Sequence, residues 1–197
     1  MQSHGFLKSY IDVGIIEQLY SSCQKFIDKQ ENVNNYYSNI DKYIANITKL
    51  INPRITNKVK ELLNKDEIIL NACELHVQLS KGLPIPHHQD NFYHCSEYNK
   101  GLKILIPLQD FNRDNGSLGF LNHNYDHPVL DHKASNINNF SSIISKKDIS
   151  NLIYESTFYK YEVGDASYHF LNSIHYSEGN KTKTNTIFVV FRFQTKD

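Results

Sequence analysis

The chain is short of the features by which many small proteins are stapled, anchored or addressed. Its three cysteines, Cys23, Cys73 and Cys95, are odd in number, lie far apart and form no CxxC pair. That excludes a disulfide framework and a cysteine-based metal clip, and reads as reduced thiols in a cytoplasmic protein. No sign of charge dominates, since 21 basic and 21 acidic residues cancel. The balance leaves no electrostatic footprint for nucleic acid or for an acidic membrane. Apolar runs such as Ile187–Phe191 are far too short for a membrane span, and the N-terminus has no signal-peptide core. GxSxG, P-loop and GxGxxG patterns are absent, which removes the commonest hydrolase and nucleotide-binding readings. Internal repeats and a linker between domains are missing too. With 197 residues a single domain can bury roughly 70% of its unfolded surface, so neither disulfide nor structural metal is needed for folding.

What is present falls into two halves. In the first, Ile15, Ile16, Leu19, Cys23, Phe26 and Ile27 recur at three-to-four spacing behind Asp12, a candidate N-cap. A second stripe, Ile40, Tyr43, Ile44, Ile47 and Ile51, is stopped by Pro53; a third uses Val59, Leu62 and Leu63. Lys29–Ser38 between the first two is polar and reads as a loop. From Ile68 the period changes. Glu74 to Ser80 alternates polar and apolar, as a strand with two different faces does, and Gly82, Pro84 and Pro86 end it. Further strands are expected at Lys103–Leu108, Ser117–Leu121, Phe158–Val163, Ser167–Ile174 and Asn185–Phe193, with a short helix in Ile144–Tyr154. Helices first and strands after, without βαβ alternation, predict a mainly β fold: an antiparallel sandwich or barrel backed by N-terminal helices. Residues 1–66 form the helical region packed on the barrel, and 67–197 the β core, within one structural domain.

The chemistry concentrates in one pattern. Pro86-His87-His88-Gln89-Asp90 holds an HxD pair after a strand, and His175 follows 85 residues beyond Asp90. An isolated HxD is weak in a chain with ten histidines; the distant third donor in a β-rich context gives it weight. Two imidazoles and a carboxylate on one face of an ion leave three positions open, the arrangement used by non-haem iron(II) oxygenases. His87 competes with His88, but in extended backbone its side chain points the other way, and only His88 stands two residues from Asp90. His88, Asp90 and His175 are therefore the expected metal ligands and catalytic centre.

These residues carry a resemblance. Pro86-His-His-Gln-Asp-Asn-Phe-Tyr93, Leu105-Ile-Pro-Leu108 with Asn115-Gly-Ser-Leu118, Gly164-Asp165, and the block His175-Tyr-Ser-Glu-Gly-Asn-Lys-Thr182 resemble the phytanoyl-CoA dioxygenase-like family of iron/2-oxoglutarate oxygenases from about Glu74 to Phe193. The last block matches the family's H-x-S-x-x-N-x-S/T signature. The resemblance implies a double-stranded β-helix, or cupin-like jelly roll, with Fe(II) at one mouth. It also implies 2-oxoglutarate and O2 as co-substrates and hydroxylation of a C–H bond, with Asp90 disfavouring the halogenating variant.

One element of the family pattern is broken. Eleven residues beyond the distal histidine the family usually has an arginine for the far carboxylate of 2-oxoglutarate, and here that position is Thr186. A buried carboxylate still needs a cation. Lys103, on the strand after the metal loop, is the expected replacement, similar in placement to the lysine of JmjC-like hydroxylases. Ser177 and Thr186 could add hydroxyls, and Lys183 and Arg192 are competing cations; the plain alternative for Lys103 is a surface lysine. For the substrate, expected to be a small molecule by the chain's lack of room for lids, His76 and Gln78 share a strand face with Glu74, while Asn91, Tyr93 and His94 follow the metal loop. His169 and Asn172 precede His175. That face of the strand could equally be a solvent-facing side. His123, His127 and His132 read as surface residues, and Gly164-Asp165 as a turn. A 2-oxoglutarate-independent or non-catalytic cupin-like metal protein is the alternative, and a zinc hydrolase has less support because no acid or base accompanies the donor set.

Overall fold

The structure, a computed structural model, describes residues 1–94, 100–124, 126–137, 140–152 and 154–196. The expectation for Cys95 lies outside these residues. In chain order the elements are β1 (His4–Leu7), α1 (Val13–Ile27), β2 (Tyr36–Ser38), α2 (Pro53–Leu63), β3 (Ile68–Gln78), β4 (Ile85–His88), α3 (Asp90–His94), β5 (Gly101–Pro107) and β6 (Leu118–Leu121). Then follow β7 (His132–Ile137), β8 (Phe140–Ile144), α4 (Lys146–Ser150), β9 (Ser156–Phe158), β10 (Ala166–Phe170), β11 (His175–Ser177) and β12 (Thr186–Thr195).

Two antiparallel sheets face each other. The larger has the order β1-β10-β5-β12-β3-β2 and the smaller β4-β11-β6-β9, with β7-β8 as a separate hairpin. Alternating membership of the two sheets along the chain makes this the double-stranded β-helix that the sequence led us to expect. Side-chain alternation explains how it is filled. On one face of the large sheet, Cys73, Leu75, Val77, Ile104, Ile106, Ile187, Val189 and Phe191 pack with Ile16, Leu19, Cys23, Ile27, Ile55, Val59 and Leu62 of the helices in one apolar cluster. On the other face, Leu105, Phe188 and Val190 meet Phe111, Leu118, Phe120 and Tyr161 inside the barrel. In the second half of β3 neither face is therefore a solvent face, since Glu74 and Gln78 are buried, whereas Ile69, Leu70 and Asn71 at its start are exposed. Each fully buried aliphatic or aromatic side chain contributes roughly 1.5–3 kcal/mol, so the helical layer holds the outer wall of the site in place.

The first 66 residues depart from an all-helical layer. β1 and β2 pair with β10 and β3 and so belong to the large sheet. Asp12 caps α1 as expected, accepting from the Ile15 N–H at 3.2 Å. The stripe at 40–51 is not one helix but two 3-10 turns, Ile40–Lys42 and Ile47–Leu50, each entered through an asparagine at positive φ (Asn39, Asn46). Ile40, Ile44, Ile47 and Leu50 are buried, whereas Tyr43 is exposed. Pro53 begins α2 rather than ending a helix, with Asn52 as its cap. Later, Phe158–Val163 is not a strand: β9 ends at Phe158, and Tyr161 bridges to Phe111. Gly164, at φ 104°, closes the turn before β10, and the buried Asp165 accepts from the backbone N–H groups of Ser9 and Glu162 at 2.8 and 2.9 Å. No described helix is long and apolar enough to cross a membrane.

Candidate active site

The small sheet brings the donors together. β4 and β11 are antiparallel neighbours in which His88 stands opposite His175, a register that places Cβ atoms about 5 Å apart. The ring centroids lie 4.2 Å apart. Asp90 follows where the chain turns from β4 into α3 and its carboxylate swings back toward both rings. One donor atom from each of His88, Asp90 and His175 lies within 4.8 Å of the others, and all three residues are buried.

Local hydrogen bonds aim the rings. Nδ1 of His88 donates to the Pro86 carbonyl at 2.8 Å, and Nδ1 of His175 to the Ser173 carbonyl at 3.0 Å. Because a carbonyl only accepts, Nδ1 carries the proton on both rings, and the Nε2 lone pairs are left to face the centre. Burial, with the neighbouring imidazole of His175, pulls His88 down to about 3; burial also lowers His175 to about 4, against the attraction of Asp90. Both rings are thus neutral, as a metal ligand must be. Burial by itself would raise the Asp90 carboxyl, but Lys103 and the histidines hold it well below the ordinary carboxylate range. This donor set, two neutral imidazoles and one carboxylate, all buried, fits a divalent transition metal.

Around the donors lies a cavity of about 290 Å³, walled by residues of both sheets, of α3 and of the segment before β2. Lys103, buried on β5, places Nζ 3.0 Å from Oδ1 of Asp90 and 3.5 Å from Glu74. Burial works against its charge, and the two carboxylates more than offset that. His169 on β10 donates from Nε2 to Oδ2 of Asp90 at 3.2 Å, and its buried Nδ1 has no partner among the described residues. His76 donates to Glu74 at 3.2 Å and stacks on Phe188. Gln78 and Tyr93 also wall the cavity.

Other expected site residues stand elsewhere. Ser177 donates to the Gly116 carbonyl at 3.0 Å, on the strand beside the donors. Thr186 is fully buried opposite Gln78, and its hydroxyl has no partner among the described residues. Arg192 neighbours Lys103 in the sheet but turns Nη1 to Nδ1 of His94 at 2.5 Å. Asn91 donates to Asn172 at 2.7 Å behind the donor loop.

Three participants escaped the sequence reading. Tyr36, at the end of the presumed polar loop, donates its hydroxyl to Glu74 at 3.4 Å. His123 and His132 are not ordinary surface residues. His123 is buried and accepts the N–H of Ile174 at 3.1 Å, and His132 accepts the N–H of Gln89 at 3.2 Å. Each thus grips the backbone beside a donor, while Gln89 ties the two donor segments by donating to the Asn172 carbonyl at 2.7 Å. Only long-range pairing reveals such acceptors.

Comparison with known proteins agrees with this geometry. The profile of the phytanoyl-CoA dioxygenase (PhyH) family matches residues 16–185, and the chain belongs to that family. None of the curated proteins matches the sequence. Among solved structures, EvdO2 from Micromonospora carbonacea var. aurantiaca, complexed with 2-oxoglutarate, superposes with a TM-score of 0.81 at 16% identity, over 98% of this chain and 86% of that one. The epimerase SnoN from nogalamycin biosynthesis, in complex with Fe3+, alpha ketoglutarate and nogalamycin RO, gives 0.79 at 15% identity, over 98% and 79%. EctD from S. alaskensis, with 2-oxoglutarate and 5-hydroxyectoine, gives 0.79 at 13% identity, over 98% and 72%. At these identities the likeness is one of fold.

Proposed function

We propose that this chain is an iron(II)- and 2-oxoglutarate-dependent oxygenase that hydroxylates a C–H bond of a small molecule, its metal held by His88, Asp90 and His175. The observation that carries the reading is the convergence of two Nε2 lone pairs and one carboxylate at the cavity wall. Family membership supports the class, as do neighbours of the same fold that hold iron or 2-oxoglutarate. When bound, iron(II) would activate O2, the oxidant, with 2-oxoglutarate supplying two electrons through its decarboxylation to succinate and the substrate C–H bond the other two.

The chain's own part is orientation and charge. Pro86 and Ser173 fix the ring tautomers. His169 and Lys103 each hydrogen-bond one oxygen of Asp90, which keeps the carboxylate ionised and limits how it can turn. Among the described residues walling the cavity Lys103 is the one lysine or arginine, and in this reading its ammonium receives the distal carboxylate of 2-oxoglutarate. It can do so by exchanging its 3.5 Å contact with Glu74 for the incoming anion while staying near Asp90. Ser177, Thr186 and Arg192 stand as secondary contacts, Thr186 with a buried hydroxyl that has no partner among the described residues. Substrate enters past His76, Gln78 and Tyr93, with Asn91 shaping the loop behind Asp90.

Succinate release from 2-oxoglutarate under iron(II) and O2 tests the reading, together with Lys103→Ala, in which metal binding persists and the keto acid no longer saturates. A second reading has one observation behind it. Lys103 is already paired to two carboxylates and Thr186 replaces the family arginine, as in a cupin-like metal protein that takes no 2-oxoglutarate. Metal uptake without any 2-oxoglutarate binding selects it.

A further inference from the structure

We infer that the cavity is built to receive a substrate with a cationic nitrogen, a protonated amine or guanidinium, and that Glu74 is the group that pairs with it. The inference deepens the proposed function and rests on it. Among the described residues, three charged side chains other than histidine wall the cavity: Asp90, Glu74 and Lys103. In the loaded site a divalent metal and the doubly charged keto acid cancel. Lys103 then offsets one of the two carboxylates wherever it points, and one negative charge remains. Arg192 is turned to His94 behind the cavity wall; its charge is felt by Lys103 and Tyr36, whereas the neighbours that shift Glu74 are Lys103, His76 and Asp90.

The remaining charge has a definite place. Asp90 is engaged by Lys103, His169 and the metal position, so the excess falls on Glu74. Its carboxylate is buried (3% exposed) and anionic: burial pushes its pKa up, yet Lys103 and His76 bring it down to about 2. Once Lys103 answers 2-oxoglutarate, Glu74 keeps, among the described residues, the Tyr36 hydroxyl and the His76 ring N–H. A buried carboxylate with two such donors and no cation is poorly compensated, and a positive group from the substrate completes it. The surroundings suit one. The Tyr36 ring meets His76 at a steep angle, His76 stacks on Phe188, and all three wall the cavity with Glu74, so aromatic rings border the carboxylate. Neutral and anionic substrates gain nothing from this corner, and anionic ones are repelled.

The test uses the full chain loaded anaerobically with manganese(II) and 2-oxoglutarate, titrated calorimetrically with three probes of one size: benzylamine, benzyl alcohol and benzoate. Benzylamine is expected to bind about ten-fold tighter than benzyl alcohol or more, with benzoate weakest. Glu74→Gln is expected to level the first two, and Glu74→Asp to keep the order. Equal or tighter binding of the alcohol or the acid overturns the inference, as does an absence of benzylamine binding or an order unchanged by Glu74→Gln. If Glu74→Gln does not fold, the wild-type order and the Asp variant decide. Failure to take up metal and keto acid overturns the underlying reading and this one with it; uptake without the amine preference overturns this one alone.

Discussion

Nζ of Lys103 lies 3.0 Å from Oδ1 of Asp90, both groups buried and both charged. The pair joins the large sheet to the donor loop across the barrel, and Glu74 at 3.5 Å extends it into a triad with one cation between two carboxylates. Removing one member of such a buried set leaves the others uncompensated. Lys103→Met is therefore expected to cost about 3 kcal/mol of stability and to weaken 2-oxoglutarate binding about ten-fold or more, while metal binding survives. Denaturant unfolding and calorimetric titration read the two effects separately. Unchanged keto-acid affinity in a folded variant would remove Lys103 from the role of anchor.

His132 and His123 act on the backbone beside the donors. His132→Ala strands the Gln89 N–H between His88 and Asp90, and His123→Ala strands the Ile174 N–H before His175. Each lost acceptor is expected to cost about 1–3 kcal/mol and to lower metal affinity about ten-fold. Manganese(II) binding measured on both variants checks this. Wild-type affinity in both would show that the donors keep their positions without these grips.

The pattern of what could be read in advance has a physical basis. His88, Asp90 and His175 were legible because the spacing within HxD is local and the family flank around His175 is distinctive. Strand β3 showed its alternation plainly, and its polar face lines the cavity, one of the two readings left open because residue type gives no sign of which face a helical layer covers. The stripe at 40–51 misled because two 3-10 turns joined through Asn39 and Asn46 present buried isoleucines at nearly helical intervals. β1 was invisible: four residues, His4–Leu7, whose pairing partner is more than 150 residues away. His123 and His132 share that obstacle, because an acceptor for a distant N–H has no spacing signature.

Acid sensitivity follows from His4. Its ring stacks on Phe120, accepts from the Tyr159 hydroxyl at 2.8 Å and donates to Asn122 at 3.1 Å. Burial lowers it to about 4 from an ordinary 6.5, against the Asn122 hydrogen bond and with help from His123. Between those values the unfolded chain binds a proton that the folded one does not, so stability falls as pH falls through that window. Below about 4 both states are protonated and this slope ends. Melting temperatures across the range are expected to decline toward acid less steeply in His4→Gln than in the wild type. Parallel curves would show that His4 does not contribute.

The central claim is that His88, Asp90 and His175 jointly hold one metal with room left for a chelating keto acid. Anaerobic titration of iron(II) into the protein with 2-oxoglutarate, followed by visible absorption, tests it most directly. The account predicts a charge-transfer band that needs both components, saturates at one iron per chain and disappears in His175→Ala. A band undiminished in that variant, or iron bound tightly with no band at all, would contradict it.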